Sequence, residues 1–214
     1  MKLFLDTANI DEIKEVKDLG ILDGVTTNPS LIAKEKKDFK KTVAEICEIV
    51  CGPVSAEVIA LDWETMVKEG RELADISEYI VVKVPFTKDG LKATSILAGE
   101  GIPVNVTLIF SANQALLACK AGASYISPFA GRLDDIGHDG IEVVSQCQQL
   151  VETYGFETEV IAASIRSTAH MLQLQDVGVD VATIPYSVVK QMMKHPLTDI
   201  GIEKFLKDWE NAVK

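Results

Sequence analysis

The feature that most constrains this chain is its alternation of short β-rich runs with helical stretches. The runs are Lys2–Asp6, Gly24–Asn28, Val54–Ile59, Ile80–Val84, Pro103–Leu108, Tyr125–Phe129, Glu159–Ser164 and Val181–Ile184. Most are rich in Val and Ile, as buried parallel strands are. Helical patterns lie between them. Trp63, Met66, Val67, Gly70, Leu73 and Ala74 share one face at helical spacing, and so do Phe39, Val43, Ile46 and Val50. Leu19-Gly20 and Ala121-Gly122 come just before the next run, where a helix should stop.

Strand–helix alternation implies parallel pairing, and eight such units predict a closed (β/α)8 barrel. The competing architecture is an open doubly wound sheet, which usually carries a Gly-rich phosphate loop after its first strand. Here the first run ends Asp6-Thr7-Ala8-Asn9, without glycine, so a nucleotide fold is disfavoured. A length of 214 residues with 47% hydrophobic content can bury a large core. By size alone it allows one domain or two, and an α/β barrel takes it as one unit, residues 1–214.

The formal net charge of −11 argues against a nucleic-acid partner, because phosphate backbones demand Lys and Arg. It leaves room for a local basic pocket. No apolar run approaches the ~18 residues of a membrane span, so no membrane partner is expected. The N-terminus reads as a strand, not as a basic and then apolar leader, and a cytoplasmic protein is expected. Cys47, Cys51, Cys119 and Cys147 show neither a C-x-x-C spacing nor a nearby His. Free thiols are expected, with no metal site.

Beyond the eighth unit, Pro196 interrupts the helical pattern and a new helix is predicted over about residues 197–214. Ile202, Phe205, Leu206, Trp209 and Val213 form an apolar stripe on it. That stripe can fold back on its own barrel or dock on a neighbouring subunit, and the pattern does not choose.

The strands carry polar groups where a barrel interior should be apolar. Residues two apart on a strand share a face. Thr26 and Asn28, Ser55 and Glu57, Asn105 and Thr107 are such pairs near strand ends, while Val104, Val106 and Leu108 take the opposite face. Asp6 follows Phe4, Lys83 follows Val81, Ser127 pairs with Phe129, and Ser164 ends the seventh run. Buried polar groups are costly unless hydrogen-bonded. Their gathering at the C-terminal ends, where barrel enzymes build their sites, points to chemistry.

Lys83 is the sharpest of these, since lysine is almost never buried without a partner. It lies among Val81, Val82, Val84 and Pro85. Its plain reading is a buried ion pair with Asp6 or Glu57. Its functional reading is a nucleophile, because burial disfavours an ammonium and frees the lone pair to attack a carbonyl.

Four segments then carry a resemblance. They are Gly24-Val25-Thr26-Thr27-Asn28-Pro29-Ser30-Leu31, Val81-Val82-Lys83-Val84-Pro85, Val104-Asn105-Val106-Thr107-Leu108-Ile109-Phe110-Ser111 and Ile126-Ser127-Pro128-Phe129-Ala130-Gly131-Arg132. In order and position they resemble the small transaldolases, a group that also includes fructose-6-phosphate aldolases. The resemblance spans essentially the whole chain. It implies a (β/α)8 class I aldolase that needs no metal or organic cofactor and moves a dihydroxyacetone unit between sugar phosphates.

By position, the resemblance implies that Lys83 forms a Schiff base with the ketose C2 carbonyl and that Asp6 takes the C4 hydroxyl proton. Glu57 and Thr107 would hold the water of imine formation. Asn28 and Asn105 would bind the dihydroxyacetone hydroxyls, with Ser127 nearby, and Arg132, Ser164 and Arg166 would hold the phosphate. The residue types suit these tasks: Asn both donates and accepts, and Arg meets phosphate through a planar fork. For Arg132 and Arg166 a surface ion pair is the plainer alternative. Aldolases of this group carry Tyr and Gln where this chain has Phe129 and Glu57, which favours transfer over release of free dihydroxyacetone. A silent sugar-phosphate binding protein is the reading from another class. His138 and His170 match no family position, and Tyr186 is left without a role. Small members assemble as rings, often pentamers or decamers, so a homo-oligomer is implied.

Overall fold

Every β-rich run becomes a strand, and the strands close on themselves. The structure, a computed structural model, describes residues 1–36 and 38–212. The strands are β1 Lys2–Asp6, β2 Gly24–Thr26, β3 Val54–Glu57, β4 Ile80–Pro85, β5 Val104–Ile109, β6 Tyr125–Pro128, β7 Glu159–Ala162 and β8 Val181–Ile184. They pair in chain order, all parallel, and β8 closes the barrel against β1. After β1 comes α1 Ile10–Asp18, after β2 come α2 Pro29–Glu35 and α3 Phe39–Val50, and after β3 comes α4 Trp63–Ala74. Next are α5 Lys88–Gly99 and α6 Ala112–Lys120, then α7 Ala130–Asp134 and α8 Gly140–Tyr154. The last are α9 Thr168–Val177, α10 Tyr186–Met192 and α11 Pro196–Ala212. This is a (β/α)8 barrel with an additional C-terminal helix.

Strand ends differ from the sequence reading where side chains or strain intervene. β2 stops at Thr26 because Asn28 caps α2: its Oδ1 accepts from Leu31 N–H at 2.9 Å, and Pro29 takes the first helical position. β3 stops at Glu57 because the Glu69 carboxylate takes the N–H groups of Ile59 and Ala60, at 2.8 and 3.0 Å. β7 stops at Ala162, two residues before Ser164 turns left-handed at φ 60°.

β5 breaks the simple alternation. Leu108 also sits at φ 60°, and the pairing with β6 shifts register between Val106 and Ile109. A bulge of this kind re-aims side chains. Ile109, not Leu108, therefore enters the apolar layer, and Leu108 faces the mouth of the barrel.

Two apolar regions hold the barrel. The larger lies between strands and helices and includes Leu5, Val25, Val82, Val106, Ile126 and Ile184 from the outward strand faces. The helices present their periodic residues to it, among them Val43, Ile46 and Val50 of α3 and Met66, Val67 and Leu73 of α4. The smaller lies inside the barrel, where Phe4, Ile161 and Val181 pack with Tyr125. Gly24 makes room for Phe4: a Cβ there would sit 2.6 Å from the ring.

The C-terminal helix stands apart. None of the residues of α11 is buried, and Phe205 and Trp209 are 72% and 69% exposed. Val213, the last residue of the expected stripe, lies outside the described residues. Among the described residues no helix is long and apolar enough to cross a membrane. All four cysteines are free thiols, and only Cys51 is exposed.

Candidate active site

The inward faces of the strands bring polar groups together above the apolar floor. Lys83, in the middle of β4, is 5% exposed. Its Nζ donates to the Thr27 carbonyl at 3.0 Å and lies 3.1 Å from Glu57 Oε2. β3 and β4 pair Glu57 directly with Lys83, so the ion pair follows from strand register. Of the two partners weighed for a buried Lys83, Glu57 is the one in contact.

Lys83 stands where two openings meet. One is a cavity of about 130 Å³ bordered by Asp6, Asn28, Thr107, Ser127, Phe129, Arg132 and Ser164 as well as Lys83. The other, of about 380 Å³, adds Glu57, Lys34 and Leu108. Nine of the eleven sequence-selected residues thus border the two openings, counting eight in the first and Glu57 in the second.

Thr107 Oγ1 is buried and has no hydrogen-bond partner among the described residues, so its bonding capacity is left for whatever enters. Asn28 spends Oδ1 on the helix cap and keeps its amide N–H groups for the cavity. Phe129 packs edge-on against Phe110 at 5.9 Å, and the Arg132 guanidinium lies over its ring at 4.9 Å. Among the described residues Arg132 has no carboxylate partner, so its charge is available at the rim.

Two expected residues stand elsewhere. Asn105 is fully buried beneath the cavity, where its Nδ2 donates to Ser55 Oγ at 3.1 Å and its Oδ1 accepts from Ser127 Oγ at 2.8 Å. Arg166 is exposed, and its fork engages both carboxylate oxygens of Asp135. It packs over Gly131, whose added Cβ would lie 2.7 Å from Arg166 Nε.

Other groups were not selected from sequence. Thr183 of β8 borders the first cavity and Lys34 of α2 the second. Thr183 carried the same signal as the others, a polar residue two after Val181 in an apolar run. Lys34 carried none, because an exposed helical lysine is common. Tyr186 borders a separate cleft that shares Asp6 and Lys34. The Glu15 carboxylate beside its phenol pushes the pKa up to about 12. His170 lies on α9 with its Nε2 3.2 Å from Asp134, away from both openings.

Asp6 is the group whose proton affinity is most informative. Burial raises its carboxyl above the ordinary range, while the Lys83 charge, the Thr26 hydrogen bond and the Lys34 charge pull it back. A carboxyl poised this way can take up and return a proton nearer neutrality.

A closed parallel barrel with a buried lysine, a poised carboxyl and an arginine at its C-terminal mouth has the form of a barrel enzyme. The chain belongs to the Transaldolase/Fructose-6-phosphate aldolase family, which it matches over residues 3–214. It is 62% identical over 210 residues to a probable transaldolase of Methanococcus maripaludis strain C7, covering 98% of each chain. It is 61% identical to that of Methanococcus vannielii and 60% identical to that of Thermodesulfovibrio yellowstonii. Both of these similarities run over 214 residues and 100% of each chain.

Proposed function

We propose that this chain is a transaldolase working through a Schiff base at Lys83. It passes a dihydroxyacetone unit from sedoheptulose 7-phosphate or fructose 6-phosphate to glyceraldehyde 3-phosphate or erythrose 4-phosphate, as in the pentose phosphate pathway. The observation that carries the reading is the position of Lys83, a buried amine held by Glu57 at the junction of two openings.

Glu57 accepts the proton that the ammonium must lose before its lone pair attacks C2. The carbinolamine then loses water, held by Glu57 and the unpartnered Thr107 hydroxyl, and an iminium forms. Asp6 takes the C4 hydroxyl proton as the C3–C4 bond breaks. The bonding electrons move into the iminium, leaving an enamine on Lys83 and a free aldose phosphate. The enamine C3 attacks the acceptor aldehyde, Asp6 returns the proton, and water releases the new ketose.

Asn28 and Ser127 hold the dihydroxyacetone hydroxyls, with Asn105 setting the Ser127 hydroxyl from below. Arg132 and Ser164 receive the phosphate. Arg166 joins them only by leaving Asp135. Phe129 offers the enamine an apolar edge without a hydroxyl, which favours transfer over release of dihydroxyacetone.

The protein acts as one barrel domain in the cytoplasm and assembles as a homo-oligomer, a pentamer or decamer. The apolar stripe of α11 docks on a neighbouring copy. In support, none of the residues of α11 is buried within its own chain.

Borohydride reduction in the presence of fructose 6-phosphate tests the chemistry. A dihydroxyacetone adduct is expected on Lys83, and an unmodified Lys83 would overturn the mechanism. Product analysis with and without acceptor separates the reactions: acceptor-independent release of dihydroxyacetone at equal rate would make the chain an aldolase. Tight binding without turnover would make it a sugar-phosphate binder.

A further inference from the structure

The proton-handling carboxyl sits at the end of a chain of hydroxyls that neither the family resemblance nor the site as assigned makes use of. Thr26 Oγ1 lies 3.0 Å from Asp6 Oδ1 and 2.6 Å from Thr183 Oγ1. Both threonines are buried, at 3% exposure each. They come from the strands flanking β1 on either side: β2 pairs Thr26 with Asp6, and β8 pairs Thr183 with Phe4.

The direction of these bonds follows from valence. An ionised carboxylate only accepts, so Thr26 gives Asp6 its single proton. Thr26 can then only accept from Thr183, and the Thr183 hydroxyl must donate. Each hydroxyl thus polarises the next toward the charge, and a chain of this kind strengthens its terminal bond. When Asp6 takes a proton, the carboxyl can become the donor and both hydroxyls can rotate to reverse the chain, with no movement of heavy atoms.

We infer that Thr183 is a positioning residue for the reaction, acting through Thr26 to hold Asp6 in the orientation and charge state that accepts the C4 hydroxyl proton. The inference rests on the reading of Asp6 as the proton acceptor. No proton passes along the chain; Thr183 sets the donor that Asp6 sees. In keeping with this, the Thr26 hydrogen bond opposes the rise that burial imposes on the Asp6 carboxyl.

The other charged and titratable groups that share a cavity with Asp6 among the described residues are Lys83 from β4, Arg132 from α7, Lys34 and Glu35 from α2, Glu12 from α1, and Tyr186 and Lys190 from α10. Among the described residues none of these hydrogen-bonds to the Thr183 hydroxyl, whose partner is Thr26. Valine is close in shape to threonine and lacks the hydroxyl, whereas serine keeps it.

The test compares Thr183→Val, Thr183→Ser and Asp6→Asn for kcat and KM across pH, with fructose 6-phosphate as donor and an aldose phosphate as acceptor. Thr183→Val should lower kcat about fivefold at unchanged KM, the equivalent of one neutral hydrogen bond. The acid limb of its profile should move up by about half a pH unit. Thr183→Ser should restore both, and borohydride trapping should still label Lys83 in every variant. Thr183→Ala serves the same purpose if valine is not accommodated. A wild-type pH profile in Thr183→Val, or a serine variant as impaired as the valine one, would overturn the inference. If Asp6→Asn leaves cleavage at wild-type rate, it is the reading of Asp6 that fails.

Discussion

Lys83 Nζ and Glu57 Oε2 face each other across adjacent strands at 3.1 Å, with side chains only 7% and 15% exposed. A pair this sheltered loses more when one partner is removed than when both are replaced. Glu57→Gln keeps the shape and a hydrogen-bond acceptor but cannot take the lysine proton. The rate of borohydride-trappable imine formation should fall ~10²-fold or more. Lys83→Met should abolish the adduct and lower stability, and adding Glu57→Gln to Lys83→Met should recover part of that loss. Chemical denaturation of the single and double variants measures the coupling.

Asp6 predicts a trade between activity and stability. Its folded carboxyl is raised above the ordinary range, chiefly by burial. The native state therefore binds a proton more readily than the unfolded chain. Stability from this group is fully present below the unfolded value and is lost as pH rises through the folded one. Asp6→Asn should thus stabilise the fold near neutral pH while abolishing carbon–carbon cleavage, and the gain should vanish at pH below ~4. Thermal melts at several pH values check the sign.

The two arginines should separate. Among the described residues Arg132 borders the cavity without a carboxylate partner, whereas Arg166 is paired with Asp135 at an exposed position. Arg132→Ala should raise KM for phosphorylated donors about 10–100-fold, the worth of a charged hydrogen bond. Arg166→Ala should raise it less, and should change stability by under ~1 kcal/mol, as an exposed pair does. Steady-state kinetics and melting temperatures make the comparison.

Gly131 lies where the ends of β6 and β7 nearly touch. A Cβ at this position would stand 2.3 Å from the Ser164 carbonyl oxygen, which accepts the Gly131 N–H at 3.1 Å. Gly131→Ala should therefore cost about 1–3 kcal/mol of stability and weaken phosphate binding, because Ser164 must shift. Urea unfolding together with substrate titration would show both effects.

Ending the chain at His195 removes α11 and its exposed Phe205 and Trp209. If the helix docks on a neighbouring copy, light scattering should show smaller particles than the full chain, with the far-ultraviolet signature of the barrel retained. An unchanged assembly would place the subunit contacts elsewhere.

By itself the sequence determined the barrel and most of its mouth. Alternation with period two sends one strand face to the helices and the other inward, and that argument needs no knowledge of neighbours. It placed Asp6, Lys83, Thr107 and Ser127 inward, and the structure has them there. Only the tertiary structure decided which polar groups are spent on one another. Asn105 is tied up by Ser55 and Ser127, and Arg166 by Asp135, partners 22 to 50 residues away along the chain. The bulge that turns Leu108 toward the mouth and the link from Thr183 through Thr26 to Asp6 likewise arise where separate strands meet. Facing direction is a local property of a strand, but hydrogen-bond partnership depends on the register between strands, and closure of the barrel sets that register.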